Sequence, residues 1–334
     1  MTSEPLTPIA GGGPGVPGRA LAMFPGQGSQ RVSMASDLIR NHPWSAGLVL
    51  AEADYVLGLA LTEACTRGDA EQLGQTEITQ PAIVATSLAT FAVLRDEGGF
   101  APSAVAGHSL GEYTALVAAG VLTTADALRL VRRRGELMAG VAPLLAGAMV
   151  AIVGLDAGLV EALCARGTEL GVVEVANYNE PRQTVISGAR DAVADVASAA
   201  LATGAERAVP LAVSAPFHCS LMRLIEDEFA DELDRYPFAE PRVPVLSSVT
   251  GRVVRSAAEA RSLLRRQLAE PVRWTDVLAE AQRRAVTDYV EVGPGRVLSA
   301  LANRTIAGCS ARSTNDARRI AALLPDARRL AAVS

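Results

Sequence analysis

One segment constrains the fold of this chain more than any other. Residues 103–122, SAVAGHSLGEYTALVAAGVL, read as a short apolar strand, a tight turn and an apolar helix. The turn, Gly107-His108-Ser109-Leu110-Gly111, fits the pattern G-x-S-x-G. Between a strand and a helix that pattern puts the serine on a sharp turn, where a crowded backbone needs glycine on both sides. The hydroxyl then stands at the carboxyl end of a sheet. The free N–H groups at the start of the following helix favour negative charge there. A serine that only caps a helix is the plainer alternative, but the strand, the helix and both glycines together favour a nucleophile.

A serine hydroxyl attacks poorly until a base removes its proton. The chain has three histidines, His42, His108 and His218. His42 precedes Pro43 in a polar segment and is expected at the surface. His108 neighbours Ser109, and adjacent residues of such a turn point in different directions. His218, in SAPFHC, remains as the base by elimination. An acid that orients it would complete a triad. Asp288 and Glu291 are candidates, and a backbone carbonyl would serve equally well. Cys219 follows His218 directly and is expected to be a packing residue. The four cysteines, Cys65, Cys164, Cys219 and Cys309, form no CxxC pair and no metal-ligand cluster, which suits reduced thiols.

The chain of 334 residues is long for a single core. Residues 1–20, rich in Gly and Pro, read as a disordered leader without the charged and apolar regions of a signal peptide. Order is expected from Ala20, with the strand ALAMF. Helical patterns follow at 45–66, 80–98 (with Pro81 in the first turn) and 125–141. The rhythm then changes to β-α-β-β-α-β over 146–213, the ferredoxin-like order. We read this as an inserted subdomain, because the larger domain (21–145 and 214–310) resumes after it with the strands VPVLSSV and AVTDYVEVG. Residues 311–334 are expected to form a helical tail. No stretch reaches the roughly 18 consecutive apolar residues of a membrane span. A net charge of −5 gives no basic excess for nucleic acid. Neither a membrane nor a nucleic-acid partner is expected, and the chain is expected to be a cytoplasmic monomer.

Two further features bear on chemistry. Phe24-Pro25-Gly26-Gln27-Gly28-Ser29-Gln30 is a second turn after a strand. Its glycines permit close backbone approach to a ligand, and Gln27 offers an amide donor, although a surface turn reads equally well. Arg132, Arg133 and Arg134 form a run in an otherwise apolar helix. Consecutive residues fan over three faces, so one of the three turns inward, where it wants a carboxylate partner. At least two are expected on solvated faces.

Taken together the chain resembles the malonyl-CoA:acyl carrier protein transacylase family, which includes the fatty-acid enzyme and the acyltransferases of polyketide synthases. The resemblance rests on FPGQGSQ (24–30), TQP (79–81), GHSLGEY (107–113), RRGELM (133–138), GAMVAI (147–152), NYN (177–179), PFHC (216–219), RQLAEPVRW (266–274) and EVGPG (291–295), in the family's order over about 20–300. It implies an α/β fold: a hydrolase-like large domain with an inserted ferredoxin-like small subdomain. Ser109 would carry the acyl group and His218 act as its base. Gln27 and the N–H of Leu110 would line the oxyanion hole, and Arg134 would hold the malonyl carboxylate. The carbonyl of Gln267 would orient the histidine, and Gln80, His108 and Asn179 would line or support the pocket. The partners implied are a coenzyme A thioester and an acyl carrier protein with its phosphopantetheine thiol, without metal or redox cofactor. Phe217 departs from the Ser that fatty-acid enzymes often carry before the histidine. Within polyketide acyltransferases Phe there goes with malonyl, because its ring crowds an α-methyl group. Rival readings are an acyltransferase for a substituted extender unit, a trans-acting acyl hydrolase, which Arg134 argues against, and an inactive carrier-binding scaffold, which the complete Ser–His pair argues against.

Overall fold

The computed structural model describes residues 19–213 and 215–325. Apart from its last two residues, the expected leader lies outside them. Five strands form a parallel sheet in the order β7-β2-β1-β8-β9, with β1 at Ala20–Phe24, β2 at Ala104–Gly107, β7 at Val245–Leu246, β8 at Asp288–Glu291 and β9 at Arg312–Ser313. Helices cover both faces, so β1 is buried along its whole length. Successive side chains of a strand point to opposite faces. Ala22 and Phe24 therefore enter one core, while Leu21 and Met23 enter a second.

The remaining strands form a separate antiparallel sheet in the order β4-β5-β3-β6: β3 Gly147–Val153, β4 Val173–Glu180, β5 Gln183–Ala189 and β6 Arg207–Pro210. Helices Ala157–Arg166 and Arg190–Ala202 cover one face through a core built on Ile152, Val175 and Ile186. From the other face Met149, Ala176 and Val185 join the large core. The fold is thus the expected α/β arrangement of a parallel-sheet unit with a ferredoxin-like one. The two are stitched by Tyr178 N–H to Val272 O at 2.8 Å and Val272 N–H to Ala176 O at 2.8 Å. These bonds fix the segment that carries Gln267.

Several expectations about elements need correction. The helical pattern at 45–66 is two helices, Ser45–Leu57 and Leu61–Arg67, broken at Gly58, which takes a left-handed conformation. The expected tail at 311–334 is not helical throughout. Arg312 and Ser313 pair with β8 as the sheet's edge strand before a short helix, Ala317–Ala321, and residues 326–334 lie outside the described ones. A two-residue strand has no periodicity to read.

The helix expected from residue 80 starts at Thr76 and runs to Asp96, so Pro81 lies inside it, not in its first turn. It is the one helix among the described residues long and apolar enough to cross a membrane, but 89 % of its apolar window is covered by the molecule itself. Pro81 has no N–H to give to the carbonyl of Glu77. Arg132, from helix Thr124–Val141, supplies the missing donor with Nη1 at 2.9 Å. Gly135 allows this close approach, since a Cβ there would lie 2.8 Å from Glu77 Cα. Arg132 therefore does not sit on a solvated face as expected. Arg133 is more exposed and pairs with Glu228 and Glu136.

Arg132→Ala should cost about 1.5–3 kcal/mol, the worth of a hydrogen bond to a charged donor. Pro81→Ala, added to that variant, should recover part of the loss by returning an N–H to Glu77. Thermal unfolding of the two single variants and the double variant checks this. Strictly additive losses would show that Arg132 does not serve that carbonyl.

Candidate active site

Ser109 sits between β2 and helix Gly111–Ala118 with φ +49°, a left-handed conformation that costs energy for any residue but glycine. Its neighbours explain how the turn survives. A Cβ on Gly107 would fall 1.9 Å from Gly111 C, and one on Gly111 would fall 2.0 Å from Phe24 O. The turn after β1 lies equally close, because a Cβ on Gly26 would meet His108 O at 2.5 Å. Both sequence turns thus meet at the carboxyl ends of adjacent parallel strands, where a sheet of this kind presents ligand sites. The N–H groups of Gly111 and Glu112 go to the carbonyls of His108 and Ser109. That of Leu110 makes no hydrogen bond among the described residues.

Ser109 Oγ lies 2.7 Å from His218 Nε2. His218 is itself strained, with φ +60°, and buried. Its Nδ1 lies 2.9 Å from the carbonyl of Gln267 and 3.2 Å from that of Glu270. Carbonyls only accept, so Nδ1 carries the hydrogen and Nε2 is free to take the serine proton. Burial, then the nearby Arg134 charge and His108, lower the His218 pKa to about 3. The ring is neutral, the state in which Nε2 can accept a proton. Neither carboxylate candidate takes part: Glu291 accepts from Ser299 N–H and Asp288 pairs with Arg312.

Arg134 is 1 % exposed. Nη1 donates to Gln80 Oε1 at 2.9 Å. Nη2 lies 3.2 Å from Ser109 Oγ and 3.3 Å from Gln267 Oε1. Its Nε–H is buried and makes no hydrogen bond, the Tyr113 ring lies against the guanidinium at 5.8 Å, and no carboxylate lies within ion-pair distance among the described residues. A buried cation is costly unless it is paired. This guanidinium touches the candidate nucleophile and has a donor to spare.

The other expected positions fall around this centre. His108 is half-buried, and its Nε2 meets Asn179 Oδ1 at 2.9 Å. Phe217 is buried against the large core. Gln27 reaches toward Thr76 with its Nε2 at 3.5 Å, a long contact that leaves the amide free to turn elsewhere. Cys219 donates to the carbonyl of Pro216, and burial pushes its thiol up to about 11, which denies it a thiolate. Sequence reasoning missed Glu112 and the side chain of Gln267. A glutamate in the first turn of an apolar helix was the available signal.

The acyl transferase domain family matches residues 23–332. The chain belongs to that family. A relative, the malonyl CoA-acyl carrier protein transacylase of Escherichia coli strain K12, is 42 % identical over 302 residues, which cover 90 % of this chain and 97 % of the relative. Among solved structures, an acyl carrier protein S-malonyltransferase from Vibrio cholerae is 39 % identical with a TM-score of 0.88, covering 91 % of this chain and 99 % of the other. A malonyl-transacylase solved in complex with its type II polyketide synthase acyl carrier protein is 42 % identical with a TM-score of 0.88, covering 91 % and 98 %. The site of this acyl transferase is therefore carried on a fold shared along nearly its whole length.

The neutral His218 has a measurable consequence. Its folded-state pKa lies below the ordinary value of about 6.5, so the unfolded chain takes up the proton first. Stability should fall as pH drops from about 6.5 toward 3, by up to roughly 1.4 kcal/mol per pH unit for this ring. Melting temperatures between pH 7 and 5 should fall less steeply for His218→Asn than for the parent. Equal slopes would mean that the folded ring takes up its proton over the same pH range as the unfolded one.

Proposed function

We propose that this acyl transferase moves a malonyl group from malonyl-CoA to the phosphopantetheine thiol of an acyl carrier protein, for fatty-acid or polyketide synthesis. The observation that carries the reading is Arg134: a buried guanidinium with an unpartnered N–H, in contact with Ser109 and without a carboxylate of its own. Malonyl brings the missing carboxylate and the thioester on one short chain. An acyl group that fills the site without a carboxylate leaves the cation unsatisfied. The chain's relationship to malonyl transacylases over nine-tenths of its length supports the same substrate and carrier.

The reaction runs in two halves. Ser109 gives its proton to His218 Nε2 while Oγ attacks the thioester carbon. The negative charge that develops on the carbonyl oxygen is met by the Leu110 N–H and the Gln27 amide, each such donor contributing roughly 3–4 kcal/mol in comparable sites. The intermediate collapses, the C–S bond breaks, and coenzyme A leaves with the proton from His218. In the second half the carrier thiol gives its proton to His218 and attacks the malonyl-serine ester. Ser109 then recovers its proton as the C–O bond breaks. The carbonyls of Gln267 and Glu270 hold the imidazole in one tautomer throughout. Gln80, with its acceptor on Arg134, keeps the guanidinium turned toward the nucleophile, and Asn179 steadies His108 beneath the turn. Phe217 crowds the α-carbon and favours malonyl over substituted malonyl groups. Reduced cysteines suit an enzyme at work in the cytoplasm.

Intact-protein mass after incubation with malonyl-, methylmalonyl- and acetyl-CoA tests the reading. The parent should gain one malonyl group in preference to acetyl by more than a hundredfold, the scale of a broken buried charge pair. Ser109→Ala should gain nothing. His218→Ala should acylate about 10²–10⁴-fold more slowly. Arg134→Ala should lose malonyl and gain acetyl in relative terms, and Phe217→Ser should raise methylmalonyl alone. Equal malonyl and acetyl loading by the parent would move a neutral-acyl transferase or a hydrolase to first place.

A further inference from the structure

Glu112 stands in the first turn of the helix that follows Ser109 and is 1 % exposed. Three donors converge on its Oε2: Ser248 Oγ at 2.5 Å, Gln267 Nε2 at 2.9 Å and Ser248 N–H at 3.2 Å. Burial raises the pKa of this carboxyl, and the hydrogen bonds from Ser248, Ser247 and Gln267 oppose that rise; three donors on one oxygen favour the ionised form, whose oxygens only accept. The amide of Gln267 lies between this anion and a cation. Its Nε2 gives hydrogens to Glu112 Oε2 and, at 3.1 Å, to the carbonyl of Ser109. Its Oε1 accepts from Arg134 Nη2.

An amide has one donating and one accepting end, and a flipped amide would set donor against donor at Arg134. Glu112 and Arg134 therefore fix its direction from opposite sides, and charged partners make such bonds about twice as strong as neutral ones. The backbone carbonyl of the same Gln267 accepts from His218 Nδ1. A single residue thus touches the base, the nucleophile's backbone and the buried guanidinium, and its side chain is anchored by one buried carboxylate.

We infer that Glu112 is a positioning residue for acyl transfer: its carboxylate locks the Gln267 amide so that Arg134 stays aimed beside Ser109 while the adjoining carbonyl holds His218. The inference rests on the malonyl-transfer reading and extends it to a group that touches neither substrate nor reacting atom.

The test uses the full chain and measures the rate of Ser109 acylation by malonyl-CoA and by acetyl-CoA. Glu112→Gln keeps size and shape and removes the charge. It should lower the malonyl-over-acetyl preference about tenfold, the worth of one charge-assisted hydrogen bond, with a melting temperature close to that of the parent. In an Arg134→Ala background the same substitution should leave the ratio of the two rates unchanged, because the residue through which Glu112 acts on selectivity is gone. A preference equal to the parent's in Glu112→Gln, or the same drop in the Arg134→Ala background, overturns the inference. Should Glu112→Gln fail to fold, Glu112→Asp keeps the charge and draws the carboxylate one methylene away from Gln267 Nε2. Its preference should fall about threefold, the worth of one weakened hydrogen bond, and an unchanged preference overturns the inference. A parent that shows no malonyl preference defeats the malonyl reading itself. A parent that prefers malonyl, with variants that do not shift, defeats only the role of Glu112.

Discussion

A guanidinium held in the interior without a carboxylate is the constraint on which the site depends. Desolvating Arg134 is expensive, and the protein offsets the cost with neutral acceptors: Gln80 Oε1, Gln267 Oε1 and Ser109 Oγ. Each comes from a different element. Their convergence needs helix Thr76–Asp96 tight against helix Thr124–Val141, which Gly135 permits. It also needs the segment after residue 266 tied to β4, which Val272 accomplishes.

The second constraint is backbone strain at Ser109 and His218, both non-glycine residues with left-handed backbone. Strain of this kind persists only where the surroundings over-determine the conformation. At Ser109 they do so by contact. Gly107, Gly111 and Gly26 let three backbone segments approach to distances that any Cβ would forbid. At His218 the two carbonyls that accept from Nδ1 fix the ring. The hydrogen bond between Oγ and Nε2 is thus held by two rigid turns, not by two mobile side chains.

The sequence made the chemistry legible where the chemistry requires a local pattern. The strand–GHSLG–helix run singled out Ser109 and elimination among three histidines singled out His218, two residues that the fold brings within 2.7 Å of each other, and the β-α-β-β-α-β rhythm located the second sheet. It was opaque wherever a residue's role depends on what folds against it. Pro81 looked like a helix start, because nothing local shows that Arg132 serves the carbonyl its missing N–H leaves free. Arg132 looked solvated for the same reason. Asp288 and Glu291 were open as partners for His218 until the fold placed them with Arg312 and Ser299. The edge strand Arg312–Ser313 is too short to have a period, so its pairing with β8 decided its conformation. Glu112 gave only the weak signal of a charge at the start of an apolar helix.

One feature of the dyad follows from the same cation. A serine–histidine pair is often completed by a carboxylate on Nδ1, and here that place is taken by the carbonyls of Gln267 and Glu270. A carboxylate there would sit close to Arg134, because Gln267 contacts both. It would neutralise the guanidinium and, on the proposed reading, repel the carboxylate of the incoming malonyl group. A carbonyl orients the ring by its dipole without adding a full charge. The buried carboxyl of Glu112 is instead kept one amide away, with Gln267 between it and Arg134. It supports the cation through a hydrogen-bonded relay and leaves the guanidinium face beside Ser109 to the substrate. Selectivity for an acid and the absence of an acid in the dyad are, on this reading, two consequences of one buried charge.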